Sequence, residues 1–405
     1  MPEAVIVATA RSPIGRANKG SLKDMRPDAL SVQMVEAALV KVPALEPGMI
    51  DDLLLGCGQP AGESGNNLGR AVSVLAGMDH LPGVTVNRYC SSSLQTTRMA
   101  LHAIKAGEGD AFLSVGVETV SRYVNGWADN PEGLNAELAP AQARTAARAA
   151  GGAATWTDPR EDGALPDLYI AMGQTAENVA QVNGISRQDQ DAFGVRSQNL
   201  AEKALANGFW ERDITPVRLP DGTLVGTDDG PRAGVTLDAV SQLPPVFRPD
   251  GTVTAGNCCA LNDGAAAVVV MSDTKARELG LTPLARIVST GVSGLSPEIM
   301  GLGPVEATKQ ALDRAGLSIG DIDLVEINEA FAAQVIASAR ELGIDEDRLN
   351  VNGGAIAVGH PFGMTGARIT STLINSLQWH DKQFGLETMC VGGGQGMAMV
   401  IERLS

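Results

Sequence analysis

The chain reads as a duplicated α/β unit with a covering stretch inserted in its first half, because three local patterns recur in the same order in its two halves. The first is a helix pattern leading through a turn into a short apolar strand. Val35-Glu36-Ala37 and Val305-Glu306-Ala307 stand at matching places in the two copies. The second sets Val86-Asn87, read as a strand end before small residues, against Val351-Asn352 before Gly353-Gly354. The third sets Leu113-Ser114-Val115-Gly116 against Met389-Cys390-Val391-Gly392, a strand end in each half. Length agrees, since 405 residues exceed what one hydrophobic core usually organises.

Taken in order, residues 4–8 form a β-branched run expected as a buried strand, turning at Arg11-Ser12-Pro13-Ile14-Gly15. Apolar spacing of three and four predicts a helix over 27–42, followed by a strand at 53–55. A second helical pattern covers 96–104, just after Cys90. From about 121 to 249 the character changes, with an Ala-rich piece at 139–154 and a Gly/Asp/Pro-rich piece at 157–166. Helices are expected there at 172–183 and 187–207, the second announced by Ser186 with Asp189 three residues on. The order then recurs, with a helix at 304–315 and a strand at 324–327. The expected division is 1–120 for the first part of the N-terminal half, 121–249 for the covering region, 250–277 for the return, and 278–405 for the C-terminal half.

A hydrophobic fraction of 44% and a charged fraction of 19% place the chain among globular proteins. The net charge of −16 argues against a nucleic-acid partner, and an anionic ligand must be met by local positive charge. No apolar run reaches the eighteen or so residues of a membrane span, and the start lacks a signal-peptide profile, so a cytoplasmic protein is expected. Five cysteines without a CxxC pair make neither a disulfide framework nor a zinc site.

Four motifs carry chemistry. In Val86-Asn87-Arg88-Tyr89-Cys90-Ser91-Ser92-Ser93 a strand runs into a helix at a cysteine, where unpaired N–H groups and the helix dipole would favour a thiolate. A buried inert cysteine is the alternative. In Gly359-His360-Pro361-Phe362-Gly363 a histidine sits between glycine and proline on a sharply turning loop, the most unusual setting among the four histidines. His80, His102 and His380 read as loop or helix-surface residues. Cys390-Val391-Gly392-Gly393-Gly394-Gln395-Gly396 opens a strand end into a glycine turn whose N–H groups can hold a phosphate or a transient oxyanion. A dinucleotide reading fails, because no long helix and acidic residue follow before Ser405. Glu326-Ile327-Asn328-Glu329 places polar side chains where an apolar strand ends, either as ligand contacts or as a helix cap.

Together these stretches resemble the thiolase family over essentially the whole chain. The matching motifs include the Arg11-Ser12-Pro13-Ile14-Gly15 opening, Cys90 with its serines, Gly173-Gln174-Thr175-Ala176-Glu177-Asn178, Thr254-Ala255-Gly256-Asn257, Asn262-Asp263-Gly264-Ala265, and Met300-Gly301-Leu302-Gly303-Pro304. Asn328-Glu329-Ala330-Phe331, Gly359-His360-Pro361 and Cys390-Val391-Gly392-Gly393-Gly394 complete them. The resemblance implies an αβαβα core of two halves with five-stranded mixed sheets, assembly as a homo-oligomer (dimer or dimer of dimers), no permanently bound cofactor, and coenzyme A thioesters as substrates. It implies Cys90 as acyl-carrying nucleophile, His360 as its base and Cys390 as the acid/base at the α-carbon of acetyl-CoA. Asn328 would hold a water that forms one oxyanion site with His360, and the N–H groups of Cys90 and Gly392 would form the other. Arg232 matches a position meeting the nucleotide phosphates. Met172, Ala255, Ala330 and Phe331 match the pantetheine channel, and Phe247 and Met300 match walls near the acyl group.

Two departures bear on the substrate. Cys259 stands where many relatives have a serine touching pantetheine, and Ala171 where the short-chain biosynthetic type has a histidine. With Ser91-Ser92-Ser93-Leu94-Gln95 and the long insertion between 121 and 166, they favour a degradative 3-ketoacyl-CoA enzyme over an acetoacetyl-CoA one. Cys390 speaks against a ketoacyl synthase, and Cys90, Asn328, His360 and Cys390 kept together speak against a non-catalytic lipid-binding protein.

Overall fold

The computed structural model describes residues 2–123 and 133–405. The first half runs β1 (Ala4–Arg11), α1 (Pro27–Val40), β2 (Asp52–Cys57), α2 (Leu68–Leu75), β3 (Gly83–Val86), α3 (Ser92–Ala106) and β4 (Ala111–Thr119), and β5 (Asn262–Ser272) completes it. Between β4 and β5 lies the covering stretch, with α4 (Ala139–Ala149), α5 (Met172–Val182) and α6 (Arg187–Ala206). The second half contains β6 (Ala285–Gly294), α7 (Gly303–Ala315), β7 (Leu324–Ile327), α8 (Ala332–Leu342), α9 (Thr365–Trp379), β8 (Phe384–Val391) and β9 (Gln395–Arg403).

The strand order is β7-β8-β9-β6-β1-β5-β4-β2-β3, and the two halves meet through β1 and β6 at Val5↔Arg286 and Ile6↔Ala285. Outward from that seam each half has the same sequence of antiparallel, antiparallel and parallel neighbours: β1-β5-β4-β2 on one side, β6-β9-β8-β7 on the other. This equivalence is the structural counterpart of the sequence echoes. In the first half β3 adds a fifth, parallel strand, whereas in the second only a single bridge, Val325↔Leu349, occupies that position.

Period-two alternation sorts the strand side chains into layers. In β5, Val268 and Val270 face a central cluster, while Ala265, Ala267, Val269 and Met271 face an outer one. The central cluster is built by α3 (Leu94, Leu101, Ile104) and α9 (Ile369, Leu373, Leu377) against both sheets. Helices α1 and α2 cover the first sheet, with Leu30, Met34 and Val72. Helices α7 and α8 cover the second, with Val305, Ala311 and Val335. Five layers, αβαβα, result.

Several boundaries move for identifiable reasons. β1 continues past residue 8 to Arg11, because its outer residues pair with β5 up to Arg11↔Ala266. Helix α1 stops at Val40 instead of 42, since Pro43 disfavours helical geometry in the residue before it. β4 runs on through Gly116 to Thr119. The expected strand end at 351–352 is a turn. Asn350, at φ 46°, leaves extended geometry there, and its amide takes over the pairing of a fifth strand: it accepts from Ile327 N–H at 2.9 Å and donates to Ile327 C=O at 2.9 Å. The Ser186–Asp189 capping box at the start of α6 is formed in both directions. The insertion read from 121 to 166 includes residues 124–132, which lie outside the described ones.

Where α7 crosses the second sheet, the backbones approach too closely for side chains. A Cβ on Gly291 would lie 1.9 Å from Ala307 C=O, and one on Gly396 1.9 Å from Gly303 C=O. Gly291→Ala is therefore expected to destabilise the protein by about 1–3 kcal/mol through overpacking, read as a lowered midpoint in urea unfolding. An unchanged midpoint would show that α7 can move off the sheet without cost.

Candidate active site

Cys90 lies in a 3-10 turn, Tyr89–Ser91, that leads directly into α3. The turn is made by Tyr89 at φ 43° and held by Ser92, whose hydroxyl accepts from Arg88 N–H at 2.9 Å and donates to Tyr89 C=O at 2.7 Å. The backbone N–H groups of Gly392 and of Cys90 itself, the two donors named from the sequence, lie near the sulfur. Both lower the thiol pKa, but burial outweighs them and pushes it up to about 11, with the Glu118 carboxylate adding to the rise. The expectation of a helix-start thiolate is thus corrected: in this dry site desolvation of the charged form dominates.

His360 is buried at the tip of the loop before α9. Burial first, and the Arg368 guanidinium second, lower its pKa to about 3, so the imidazole is neutral. Thr365 Oγ lies 2.6 Å from His360 Nδ1 and donates its own hydrogen to Pro361 C=O at 2.8 Å. Because the hydroxyl hydrogen is used there, Nδ1 must carry the ring proton and donate to Thr365, which leaves Nε2 as the basic nitrogen. Asn328 Nδ2 lies 3.3 Å from Nε2 and 3.4 Å from Nδ1, and its buried Oδ1 has no partner. The loop is possible because Gly359, at φ 116°, leaves room for Ile14 and Asn262. Asn262 accepts His360 N–H at 3.0 Å.

Cys390, at the end of β8, is fully buried, and its thiol is pushed far up by burial first and then by the nearby Cys90 sulfur. It belongs to a small apolar cluster with Met300, Ala330 and Phe331, against which Met172 and Phe247 pack. Phe247 meets Phe331 edge to face at 6.2 Å between ring centres. Cys259, half-buried, donates its N–H to Ala330 C=O at 3.1 Å, and its thiol is raised by burial and by Cys258, Cys90 and Cys390. Met300, Ala330, Phe331, Met172 and Phe247 therefore gather around Cys390, which lies close enough to Cys90 and Cys259 for their sulfurs to influence one another, and Asn328 meets His360. Ala255 and Arg232 stay outside: both are exposed, Ala255 in the turn after Thr254 and Arg232 with its N–H on Gln198 at 2.9 Å. Among the described residues the Arg232 guanidinium makes no ion pair. His80, His102 and His380 are exposed, as expected.

Sequence reasoning missed the anchoring roles of three groups that hold these residues in place. Glu118, buried near the end of β4, accepts the N–H groups of Gly58 at 2.7 Å and Gly363 at 2.8 Å, and so ties the His360 loop to the first half. The signal was available, since Glu118 is a polar residue where an apolar strand runs out. Glu329 accepts from Ser197 Oγ at 2.6 Å, Asn350 Nδ2 at 2.8 Å and Ile356 N–H at 3.0 Å, which makes it a loop anchor. Thr365 carries no signal of its own, because its role depends on the fold of the intervening loop.

The chain is similar to known proteins along its whole length. Residues 4–274 match the family model "Thiolase, N-terminal domain" and residues 281–403 match "Thiolase, C-terminal domain". The chain is 44% identical over 416 residues to a 3-ketoacyl-CoA thiolase of Bacillus subtilis (strain 168), covering 99% of this chain and all of that one. It is 43% identical over 412 residues to a 3-ketoacyl-CoA thiolase of Colwellia psychrerythraea, covering 100% of both. The crystal structure of the Bacillus anthracis acetyl-CoA acetyltransferase superposes with a TM-score of 0.86 at 37% identity, covering 100% of this chain and 99% of that one. With family models matched across nearly all of its length and full-length relatives well above 30% identity, the chain belongs to the thiolase family.

Proposed function

We propose that this enzyme cleaves 3-ketoacyl-CoA with coenzyme A, giving acetyl-CoA and a shortened acyl-CoA through an acyl group carried on Cys90. The reading is supported by two unpaired, buried thiols, Cys90 and Cys390, close enough to influence each other, by the Gly392 N–H beside Cys90, and by a buried, neutral His360 that meets Asn328. His360 Nε2 takes the Cys90 proton as the sulfur attacks the 3-keto carbon, because the resting pair is thiol and imidazole and not an ion pair. The N–H groups of Cys90 and Gly392 stabilise the resulting oxyanion. The C2–C3 bond then breaks, its electron pair passes to C2 as an acetyl-CoA enolate, and the Cys390 thiol delivers the proton. His360 and a water held by Asn328 face the enolate oxygen. In the second half a CoA thiol gives its proton to the Cys390 thiolate and attacks the acyl carbon, and Cys90 leaves and recovers its proton from His360.

Arg232, exposed and without an ion pair among the described residues, suits the phosphate end of coenzyme A, Met172, Ala330 and Phe331 suit its pantetheine arm, and Phe247 and Met300 suit the walls near the acyl group. The relatives named 3-ketoacyl-CoA thiolase support the degradative direction. So does a cavity of about 400 Å³ between the covering region and 295–297, lined by Leu138, Leu165, Pro166, Leu168, Leu295 and Pro297 with Asp158, Arg160 and Ser296. It adjoins the glycine turn: a Cβ on Gly393 would lie 3.5 Å from Leu168, and Gly394 abuts Leu295 and Pro297. A cytoplasmic location, supported by five unpaired cysteines, and homo-oligomer assembly, supported by the exposed Leu134, Leu168 and Tyr169, belong to the same proposal.

Two outcomes are expected. Each acyl methylene buried in the cavity adds up to about 0.8 kcal/mol, so four of them favour an eight-carbon over a four-carbon 3-ketoacyl-CoA by roughly a hundredfold in kcat/KM. A tenfold preference for the four-carbon substrate would instead assign the acetoacetyl-CoA class. Thr365→Val removes the acceptor that fixes the His360 tautomer, and should slow acylation by acetyl-CoA about tenfold to a hundredfold, within what a general base contributes. An unchanged acylation rate would mean the ring is oriented by other contacts.

A further inference from the structure

Glu298, in the 3-10 turn Pro297–Leu302 that follows β6, is a buried carboxylate that the proposed chemistry does not use. A carboxylate at that depth is costly unless it is paired, and this one is met from three separate parts of the covering region. Its Oε2 accepts the Trp156 indole N–H at 2.6 Å, and its Oε1 accepts the Asp167 backbone N–H at 2.8 Å. The Arg144 guanidinium, on α4, lies 3.7 Å from Oε1 and also donates to Leu165 C=O. A further contact uses the backbone, where Asn178 on α5 donates its side-chain amide to Glu298 C=O at 2.8 Å. Asp167 in turn accepts the Tyr169 N–H at 3.0 Å, which fixes the bend that brings its own N–H to the carboxylate. One side chain of the second half thus gathers α4, the loop at 156 and the loop at 165–169.

These partners belong to the two walls of the cavity beside the glycine turn. Trp156 stands just before Asp158 and Arg160, and Asp167 lies between Pro166 and Leu168, all of which line the cavity on the covering side together with Leu165. The opposite wall, 295–297, ends where Glu298 begins, and Leu295 donates its N–H to Gly394 C=O at 2.8 Å, which seats that wall on the turn carrying Gly392. Glu298 is therefore where the two walls are bonded to each other. An acyl methylene gains from burial only where wall atoms reach it, so the spacing of the walls sets how much each methylene contributes. Resting on the reading of this cavity as the acyl pocket, we infer that Glu298 is a specificity-determining residue: through the Trp156 indole, the Asp167 N–H and Arg144 it latches the covering region over the cavity, and so makes the longer acyl chain the better substrate. The latch touches no reacting atom. It acts on how substrates are ranked, and leaves untouched the steps common to all of them.

The test uses the full-length enzyme and reads the ratio of kcat/KM for an eight-carbon over a four-carbon 3-ketoacyl-CoA. Loss of folded enzyme scales both values alike and cannot move this ratio. Glu298→Gln sets an amide NH2 against one of the two N–H donors that the carboxylate now accepts, and removes the charge facing Arg144, so at least one bond to the covering region breaks. The ratio should fall from roughly a hundredfold to about tenfold or less, as half of the methylene contact is lost, with the four-carbon value little changed. Trp156→Phe keeps an aromatic ring but removes the N–H, and should lower the ratio in the same direction. Combined, the two substitutions should give less than the product of their separate effects, because they share a bond. A folded Glu298→Gln enzyme with the wild-type ratio would overturn the inference; should that variant fail to fold, Trp156→Phe decides, and an unchanged ratio there overturns it equally. A wild-type enzyme without an eight-carbon preference is a different result, which removes the acyl-pocket reading and the latch with it, whereas a wild-type preference that survives both substitutions condemns the latch alone.

Discussion

Desolvation is the constraint on which the rest of this structure depends. Cys90, His360 and Cys390 are all buried, and burial is the largest influence on each, raising the two thiols and lowering the imidazole. All three are thereby held uncharged, where a solvated thiol and imidazole would exchange protons with water. A buried site of this kind draws much of its polar help from fixed dipoles. The glycine turn after β8 and the short turn before α3 answer that need by aiming N–H groups at one sulfur. The five layers answer it at larger scale, since only a buried middle layer brings the start of α3 and the start of α9 together from different halves. Ser93 closes that meeting by accepting Ala367 N–H at 2.9 Å.

Buried carboxylates are the second element of the design, and they serve the loops before they serve any reaction. Glu118 takes N–H groups from two separate loops, and Glu329 takes the Ile356 N–H, the Asn350 side-chain amide and the Ser197 hydroxyl beneath 350–356. A buried backbone donor without a partner is costly, so each glutamate makes possible a loop that otherwise could not lie under the covering region. Cutting one such anchor frees several buried donors at once, which is why these positions matter. The same logic explains Asn350, whose side chain completes an edge that the second half lacks a strand to complete.

Periodicity and punctuation made much of this legible. The apolar runs at 4–8 and 324–327, the Ser186–Asp189 cap and the two covering helices follow from local rules, and the echoes between halves reappear as equal strand orders. The candidate site residues stood out as a set because cysteine, histidine and glycine stand in places that packing does not explain. What local sequence could not reveal was anything decided across the fold. The turn at 351–352 depends on an amide reaching β7, and the Cys90 pKa depends on how deeply a distant glycine turn covers it. Helix-start reasoning accounted for the N–H donors but not for the loss of water, and the loss of water is the larger effect.

The most direct test of the account is where the acyl group sits and which step needs the second thiol. The enzyme is mixed with acetyl-CoA, quenched in acid, digested and mapped by mass, for the wild type and for Cys390→Ala. The account requires acetyl on Cys90 in both proteins, with cleavage of 3-ketoacyl-CoA lost only in the variant. Acetyl found solely on Cys57, Cys258 or Cys259, or a Cys390→Ala enzyme that cleaves at the wild-type rate, would contradict it.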